Sequence, residues 1–539
     1  MDRDRLARDL ERLIAARPGQ EKHQLLSGLN GLGWTGLTST DINSVLYERG
    51  RPFVKDDSTL PRWSVRAEGQ ATAATRPLET GPVWRFDRYR GPKPRAWQQE
   101  ALDAWLDVGR RGVVEAVTGT GKTAVGILAA ADAVARGRRV LVIVPGVDLL
   151  DQWYEKLRSD LPSVRIGRFG DGREGSLHDH EVLVSTVQSA YLHAMLPAGC
   201  AGLLIADEVH HYGAEKYSQA LEEAFDERLG LTATYERSDN GVAEFLAPYF
   251  SSGGSGRAGR HGAVVAGCDY ERGLADGILA RFRVALLGVG FSGGEQEQYE
   301  ELDSMAGRAR SSLINSYGCP PEPFGEFMRC VTALSEGGNE DGRVTRLSRR
   351  YLSAFTKRRA LLADCTRKLE ALRMLKPILA QTERALVFTE TIESAERAAR
   401  TIGQGSVPAL AYTSQLDRHE RGSILADFRR GKIRVLAAPR VLDEGVDVPE
   451  ADLGVILAAS HSRRQMIQRM GRVIRPNADG RPANFIILYV RGTSEDPGEG
   501  AHGAFLEEIT GVADDMKVFP EETKARDLLK WYGVRGARQ

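Results

Sequence analysis

No stretch of this 539-residue chain is apolar for long enough to cross a bilayer; the longest apolar runs, such as Val140 to Val144, have the length of buried strands. A signal peptide is not expected at the N-terminus either, because Met1 to Leu13 alternates charge and holds no apolar core. Cysteine is scarce. The five present (Cys200, Cys268, Cys319, Cys330, Cys365) show no paired spacing, which excludes a recognisable zinc module and fits a reducing compartment. Excess charge is absent too: 73 basic residues balance 73 acidic ones, so any nucleic-acid site has to be a local patch. These absences lead to the expectation of a soluble, cytoplasmic protein with no membrane partner.

What is present begins with Ala116-Val117-Thr118-Gly119-Thr120-Gly121-Lys122-Thr123. An apolar run, Gly112 to Val114, leads into it and a helix-forming run, Ala124 to Ala135, leaves it. Strand, glycine-rich turn, then helix is the context of a phosphate-binding loop. Gly119 and Gly121 let successive N–H groups, that of Thr120 included, point at phosphate oxygens, and the helix adds its positive end. Lys122 supplies a point charge to the outer phosphates, and the Thr123 hydroxyl is placed to ligate Mg²⁺. Ala116 stands where the first glycine of this pattern usually stands.

A chain of this length implies several domains. Residues 1–68 read as three helices (Leu6 to Ala15, Lys22 to Leu29, Ser39 to Arg49) closed by a hairpin of Phe53-Val54-Lys55 and Trp63-Ser64-Val65, which is a winged helix. Residues 69–90 include the Ala/Thr/Gly/Pro-rich stretch Ala67 to Pro82 and read as a linker. A first parallel-sheet lobe is expected over 91–285, with strands at Val113 to Glu115, Val140 to Val144, Val182 to Ser185, Leu203 to Ala206 and Arg228 to Thr232. Ser251 to Gly262 is a glycine-rich loop within it. Residues 286–380 are expected to form a helical insertion, basic at Arg349, Arg350, Lys357, Arg358 and Arg359. A second lobe follows over 381–492, with strands at Ala385 to Thr389, Val435 to Ala438, Leu453 to Leu457 and Phe485 to Tyr489. Residues 493–539 form a tail without an assigned role. The fold class is therefore α/β, two parallel-sheet lobes with a helical insertion and an N-terminal winged helix.

Leu203 to Glu208 places two carboxylates at the C-terminal end of a strand, where such sheets bind ligands. In a nucleotide hydrolase Asp207 holds the Mg²⁺ hydration shell and Glu208 orients and deprotonates the attacking water. With His210 the box reads Asp-Glu-Val-His, and from here the chain resembles the superfamily 2 helicases with a DEAH-type box, whose two lobes are RecA-like. Arg95-Ala96-Trp97-Gln98 resembles their adenine-reading element, which implies that Gln98 meets the base edge with Trp97 nearby. Val144-Pro145-Gly146 and Ser185-Thr186-Val187-Gln188 resemble the turns that touch the nucleic-acid backbone, and Thr232-Ala233-Thr234 the motif that links hydrolysis to movement. In the second lobe Leu386 to Thr391, with Thr389 at a strand end, resembles the fourth motif.

The fifth motif is matched by Asp443-Glu444-Gly445-Val446-Asp447-Val448-Pro449. The resemblance implies that Gly445 approaches the nucleotide and Asp447 reaches the ribose. The sixth is matched by Gln468-Arg469-Met470-Gly471-Arg472-Val473-Ile474-Arg475, so that Gln468 joins the ATP site and Arg472 and Arg475, on one helical face by spacing, act as arginine fingers. The likeness covers about Pro94 to Tyr489 and is greatest for XPB-like and phage branch-migration helicases. It implies ATP and Mg²⁺ as cofactors and nucleic acid as partner, DNA favoured over RNA; protein partners are unknown. An RNA helicase, or a nucleic-acid-gated ATPase sensor that does not unwind, are the alternatives. The basic insertion resembles a thumb-like grip, with a solvated charged helix as the other reading.

The N-terminal unit resembles Zα domains, which bind left-handed duplexes. Asn43, Tyr47 and Trp63 match the residues that in that family meet phosphate, pack on a syn purine and support the wing. Ser39, Ser44 and Leu60 depart from that pattern, and the loss of cations is expected to weaken binding. A winged helix whose Tyr and Trp are core or B-form DNA contacts stays open beside it.

Overall fold

The computed structural model describes residues 3–17, 20–21, 24–25, 28–29, 32, 34, 46, 53–55, 62–65, 84–237, 239–251, 263–336, 342–405, 407–439, 450–457, 463–471, 473, 481–499, 501, 503–520 and 522–533. In the N-terminal unit the helix Arg3–Ala16 buries Leu6, Leu10 and Ile14 at helical spacing against Leu25, Leu29 and Leu46. The Trp34 indole donates to Asp9 Oδ2 at 3.0 Å from the edge of that cluster. The expected hairpin is present: Phe53–Lys55 pairs antiparallel with Arg62–Val65, and Gln20–Glu21 adds a third strand beside the latter. Asn43 and Tyr47, like the loop over 252–262, lie outside the described residues, as does the side chain of Trp63.

In the larger unit, described by itself, strands and helices alternate from Ala96–Asp107 onward. The first sheet runs, among the described residues, in the order Val264–Cys268, Arg111–Ala116, Glu227–Thr232, Gly202–Asp207, Arg139–Val144, Val182–Thr186, Ile166–Gly170, Arg173–Glu174. All neighbours are parallel except the last pair, a short hairpin. Its central strands are near-continuous apolar runs because helices cover both faces. The second sheet runs Ala409–Ala411, Val435–Ala438, Ala385–Phe388, Leu453–Ile456, Ala483–Val490, Phe282–Val289, Asp515–Phe519, parallel throughout. These are two RecA-like lobes, and every strand expected from the sequence is found.

Three boundaries shift. The expected break between 285 and 286 would cut the strand Phe282–Val289, which pairs along its whole length with Ala483–Val490 of the second sheet. The helices Glu295–Tyr317, Phe324–Glu336 and Gly342–Ala363 are therefore an insertion within the second lobe, with a core of their own around Leu313, Phe327, Val331 and Tyr351. Residues 493–539 are not a separate tail either. Asp515–Phe519 is the edge strand of the sheet, and Arg283 ties the helix Ala525–Tyr532 to it through the carbonyls of Trp531 and Tyr532 at 2.9 and 3.1 Å. The polar composition of that strand hid it, since an edge position buries only part of it. The linker expected over 69–90 ends early: Arg90 N–H donates to Asp160 O at 2.7 Å and Arg88 pairs with Glu181 at 2.6 Å, fixing these residues to the first lobe.

The basic insertion helix is partly neutralised. Arg358 pairs with Asp303 and Arg359 with Glu390, while Arg349 donates to Ser335 O, leaving Arg350 and Lys357 exposed. Deeper in the second lobe Lys368, fully buried, donates to Glu495 Oε2 at 2.5 Å and to Leu457 O at 2.7 Å. Burial pushes the Glu495 carboxyl up, and the ammonium opposes that shift.

Removing one member of such a pair strands the other in a dry interior. Lys368→Met is expected to cost about 3–5 kcal/mol in urea unfolding, and the double replacement Lys368→Met with Glu495→Leu to recover most of it. Equal losses in the single and double variants would show that the lysine acts through packing alone.

Candidate active site

The phosphate loop leaves the strand Arg111–Ala116 and enters the helix Lys122–Ala135 with both glycines in the left-handed region, Gly119 at φ 94° and Gly121 at φ 93°. Side chains rarely adopt that backbone, so these two positions require glycine. The loop is held from behind. Thr120, fully buried, donates through its hydroxyl to Val117 O at 2.7 Å, and Arg95 donates to Thr120 O at 3.1 Å. The Gln98 amide donates to Gly121 O at 3.0 Å and its oxygen accepts from Arg95 N–H at 2.9 Å. Gln98 and Trp97 are both buried, so in this state the expected base-reading amide braces the loop from behind. Lys122 stands at the helix start, nine-tenths buried, with the half-buried Thr123 beside it.

Facing the loop, the strand Gly202–Asp207 ends in the two acids. Asp207 is 5% exposed; its Oδ2 accepts from the Trp153 indole at 2.7 Å and its Oδ1 from Glu208 N–H at 3.0 Å. Burial, and then the neighbouring Glu208 charge, raise its carboxyl to about 6, against the Trp153 bond and Lys122. Glu208 adopts φ 49° and ψ 52°, a left-handed backbone that a side chain holds only where its surroundings enforce it. That turn aims its carboxylate back at the loop, Oε1 lying 4.0 Å from Lys122 Nζ and Oε2 3.6 Å from His210 Nδ1. The buried Oε2 has no hydrogen-bond partner among the described residues, and neither has the Thr118 hydroxyl.

His210 Nδ1 lies 3.1 Å from the Thr232 hydroxyl, which itself donates to Thr234 O and accepts from Thr234 N–H. With its proton spent on Thr234 O, that hydroxyl accepts from His210, which places the imidazole proton on Nδ1. The strand end that carries the two acids is thereby tied through His210 to Thr232-Ala233-Thr234.

The donor set suits a hard cation. An Asp carboxylate and a Thr hydroxyl, with an unsatisfied carboxylate oxygen beside them, are oxygen ligands of the kind Mg²⁺ takes together with phosphates and water. No cluster of three or more His, Cys, Asp or Glu side chains that could hold a metal ion occurs among the described residues.

The second lobe approaches this loop closely. A Cβ on Gly471 would lie 2.2 Å from Thr118 Cβ and 2.8 Å from Thr118 O, and one on Gly119 3.5 Å from Gly471 O. The Tyr270 hydroxyl reaches Ile467 O at 3.4 Å, and Val117 shares one apolar core with Met466, Ile467 and Met470. Gln468 is buried in the same helix, Arg463–Met470. Arg472, Arg475, Gly445 and Asp447 lie outside the described residues. Farther along the cleft Arg418 of the second lobe pairs with Asp151, and Arg421 with Asp148 at 3.6 Å.

Of the residues expected to touch nucleic acid, Pro145 and Thr186 follow or end register neighbours, Val144 pairing with Thr186, and the Gln188 amide donates to Pro145 O at 3.1 Å. Thr186 is 4% exposed with its hydroxyl on Ser189, and Thr389 is 1% exposed with its hydroxyl on Thr391 O. Both hydroxyls are thus engaged inside the protein. Trp153, Arg418 and Arg421 were not singled out from sequence, each sitting in an ordinary helix pattern that no spacing marks; Arg95 was quoted within the adenine-reading element without a role of its own.

Two RecA-like lobes, a phosphate loop with adjoining acids on one and an abutting helix from the other, define a helicase-type ATPase. Residues 91–237 match the family model "Type III restriction enzyme, res subunit", and residues 368–477 match "Helicase conserved C-terminal domain". The DNA 3'-5' translocase XPB2 of Sulfurisphaera tokodaii is 32% identical over 403 residues, covering 74% of this chain and 82% of that protein. The DNA 3'-5' helicase XPB of Mycobacterium tuberculosis is 25% identical, covering 78% of this chain and 66% of that one. The solved structure "S. cerevisiae Dbp5 bound to RNA and ADP BeF3" superposes with a TM-score of 0.51 at 14% identity, covering 82% of this chain and 93% of that chain, which speaks for the fold. The chain belongs to the XPB-like helicases of superfamily 2.

Gly471→Ala drives a methyl group into Thr118 unless the lobes part. ATP turnover is expected to fall by about 100-fold, as for other misplacements of about 1 Å, while equilibrium nucleotide binding persists. Unchanged turnover would mean that this seam does not form during catalysis.

Proposed function

We propose that this chain is an ATP-driven translocase and helicase on duplex or branched DNA, its lobes closing on ATP and opening after hydrolysis. The observation that carries the proposal is the approach of Gly471 to Thr118, because the residue bonded to Gly471 is Arg472. Arg472 and Arg475 are the proposed arginine fingers, stabilising charge that spreads over the γ-phosphate oxygens in the transition state. Lys122 and the loop N–H groups hold the phosphates, Glu208 takes the proton of the attacking water, and Gly445, Asp447 and Gln468 complete the nucleotide site. Thr123 and Asp207 would hold Mg²⁺, which when bound neutralises charge on the β- and γ-phosphates. The relatives named above are a DNA 3'-5' translocase and a DNA 3'-5' helicase, and both the substrate and the polarity are carried into the proposal.

The turns at Pro145, Thr186 and Thr389 are proposed to meet the nucleic-acid backbone. With the two threonine hydroxyls turned inward, contact there falls to backbone N–H groups and to exposed neighbours such as Gln188. Residues 1–68 are proposed to be a winged helix that reads left-handed duplex through Asn43, Tyr47 and Trp63; the helix and three-strand antiparallel sheet support the architecture.

Glu208→Gln is expected to keep ATP bound while turnover falls by about 10²–10⁴-fold, and Lys122→Ala to weaken binding as well. Strand displacement run beside ATPase assays on matched DNA and RNA tests the motor itself; ATP turnover stimulated by nucleic acid with neither strand type displaced would replace it with a sensor. For residues 1–68 the expected outcome is inversion of the circular dichroism of an alternating CG duplex within the full chain. An unchanged spectrum at saturating protein would leave an ordinary duplex-binding unit.

A further inference from the structure

Trp153 belongs to none of the motifs assigned above, yet it bonds directly to Asp207. Its indole Nε1 donates to Asp207 Oδ2 at 2.7 Å, and the ring is 1% exposed. The opposite oxygen accepts from Glu208 N–H, so two donors on two oxygens fix the carboxylate plane. An indole N–H only donates, and its direction is set by the ring, so it cannot exchange roles as an amide or hydroxyl can.

A second observation is independent of that bond. Gly126 lies inside the phosphate-loop helix Lys122–Ala135, where glycine is the least favourable residue other than proline. A Cβ there would stand 2.6 Å from Trp153 Cη2 and 3.1 Å from a Leu231 methyl. The missing side chain is the seat of the ring. Trp153 itself rides on the helix Val147–Asp160, which starts directly after Pro145-Gly146 and carries Asp148 and Asp151, the partners of Arg421 and Arg418. One indole therefore rests on the phosphate-loop helix, grips the acid at the strand end, and moves with the helix that meets the second lobe.

We propose that Trp153 is a positioning residue that orients the Asp207 carboxylate and conveys displacement of the helix Val147–Asp160 to it, coupling nucleic acid and lobe closure to the cation site. This rests on reading the site as one for Mg²⁺ and ATP. The structural basis for coupling is rigidity: the ring is wedged at its far edge, so a shift of its helix must either turn the carboxylate or break the bond.

The test uses the full chain and two variants. Trp153→Phe keeps an aromatic ring, shorter at the edge that meets Gly126, and deletes the donor, whereas Gly126→Ala keeps the donor and displaces the ring. Affinity for a fluorescent ATP analogue is measured with Mg²⁺ and with EDTA, and ATP turnover with and without duplex DNA. In both variants the affinity in EDTA should stay within about twofold, while the gain conferred by Mg²⁺ falls roughly 10-fold, as for other groups that orient metal ligands. The factor by which DNA stimulates turnover should fall with it. Equal weakening with and without Mg²⁺ would reduce Trp153 to packing and overturn the proposal, as would an undiminished Mg²⁺ gain. Should Trp153→Phe fail to fold, Gly126→Ala alone must show the selective loss. Failure of the unsubstituted chain to bind the analogue at all would instead refute the ATP site.

Discussion

The site depends on a backbone-to-backbone contact between lobes. Gly471 lies against Thr118 with no room for a methyl group, so the helix Arg463–Met470 delivers its C-terminal end to the phosphate loop. Around that point the contact is apolar, Val117 and Tyr270 packing with Ile467 and Met470. At the other margin it is ionic, through Arg418 with Asp151 and Arg421 with Asp148. Half-exposed ion pairs of this kind contribute little individually and weaken with salt. A seam with a packed core and a loosely charged margin can therefore open and close without unfolding either lobe.

Within the first lobe the constraint is electrostatic. Asp207 and Glu208 are adjacent acids at the end of a buried strand, and burial together with mutual repulsion raises the Asp207 carboxyl to about 6. The protein holds them there with donors and with strain: Trp153 and Glu208 N–H on Asp207, and a left-handed backbone at Glu208. Lys122 stands opposite at 4.0 Å, too far for a strong bond and near enough to temper the repulsion. An arrangement that stores charge in this way favours a cationic ligand, because a cation relieves the repulsion between the two acids.

The second lobe shows the same economy in its architecture. Its sheet is completed by strands from both sides of the helical insertion, Phe282–Val289 before it and Ala483–Val490 after it, with Asp515–Phe519 at the edge. The insertion is thus anchored at both ends in one sheet, and the Arg359–Glu390 pair joins it to the turn after the strand Ala385–Phe388. Movement of the insertion and movement of that turn are linked by this pair as well as by the chain.

Much of this was legible from residue order. The phosphate loop, the acids after Leu203 to Ala206 and the nine strands expected in the two lobes are local patterns, because apolar runs and glycine turns report the burial and backbone of their own segment. Tertiary structure alone decided who neighbours whom. Phe282–Val289 is not among the strands expected from sequence, and only its register with Ala483–Val490 assigns it to the second lobe. Asp515–Phe519 looked too polar because an edge strand buries little. Gln98 faces the back of the phosphate loop, Thr186 and Thr389 turn their hydroxyls inward, and Trp153 reaches an acid 54 residues away. Periodicity along a chain records how deeply a side chain is buried; the atom it meets there belongs to another segment, and no pattern within the first can name it.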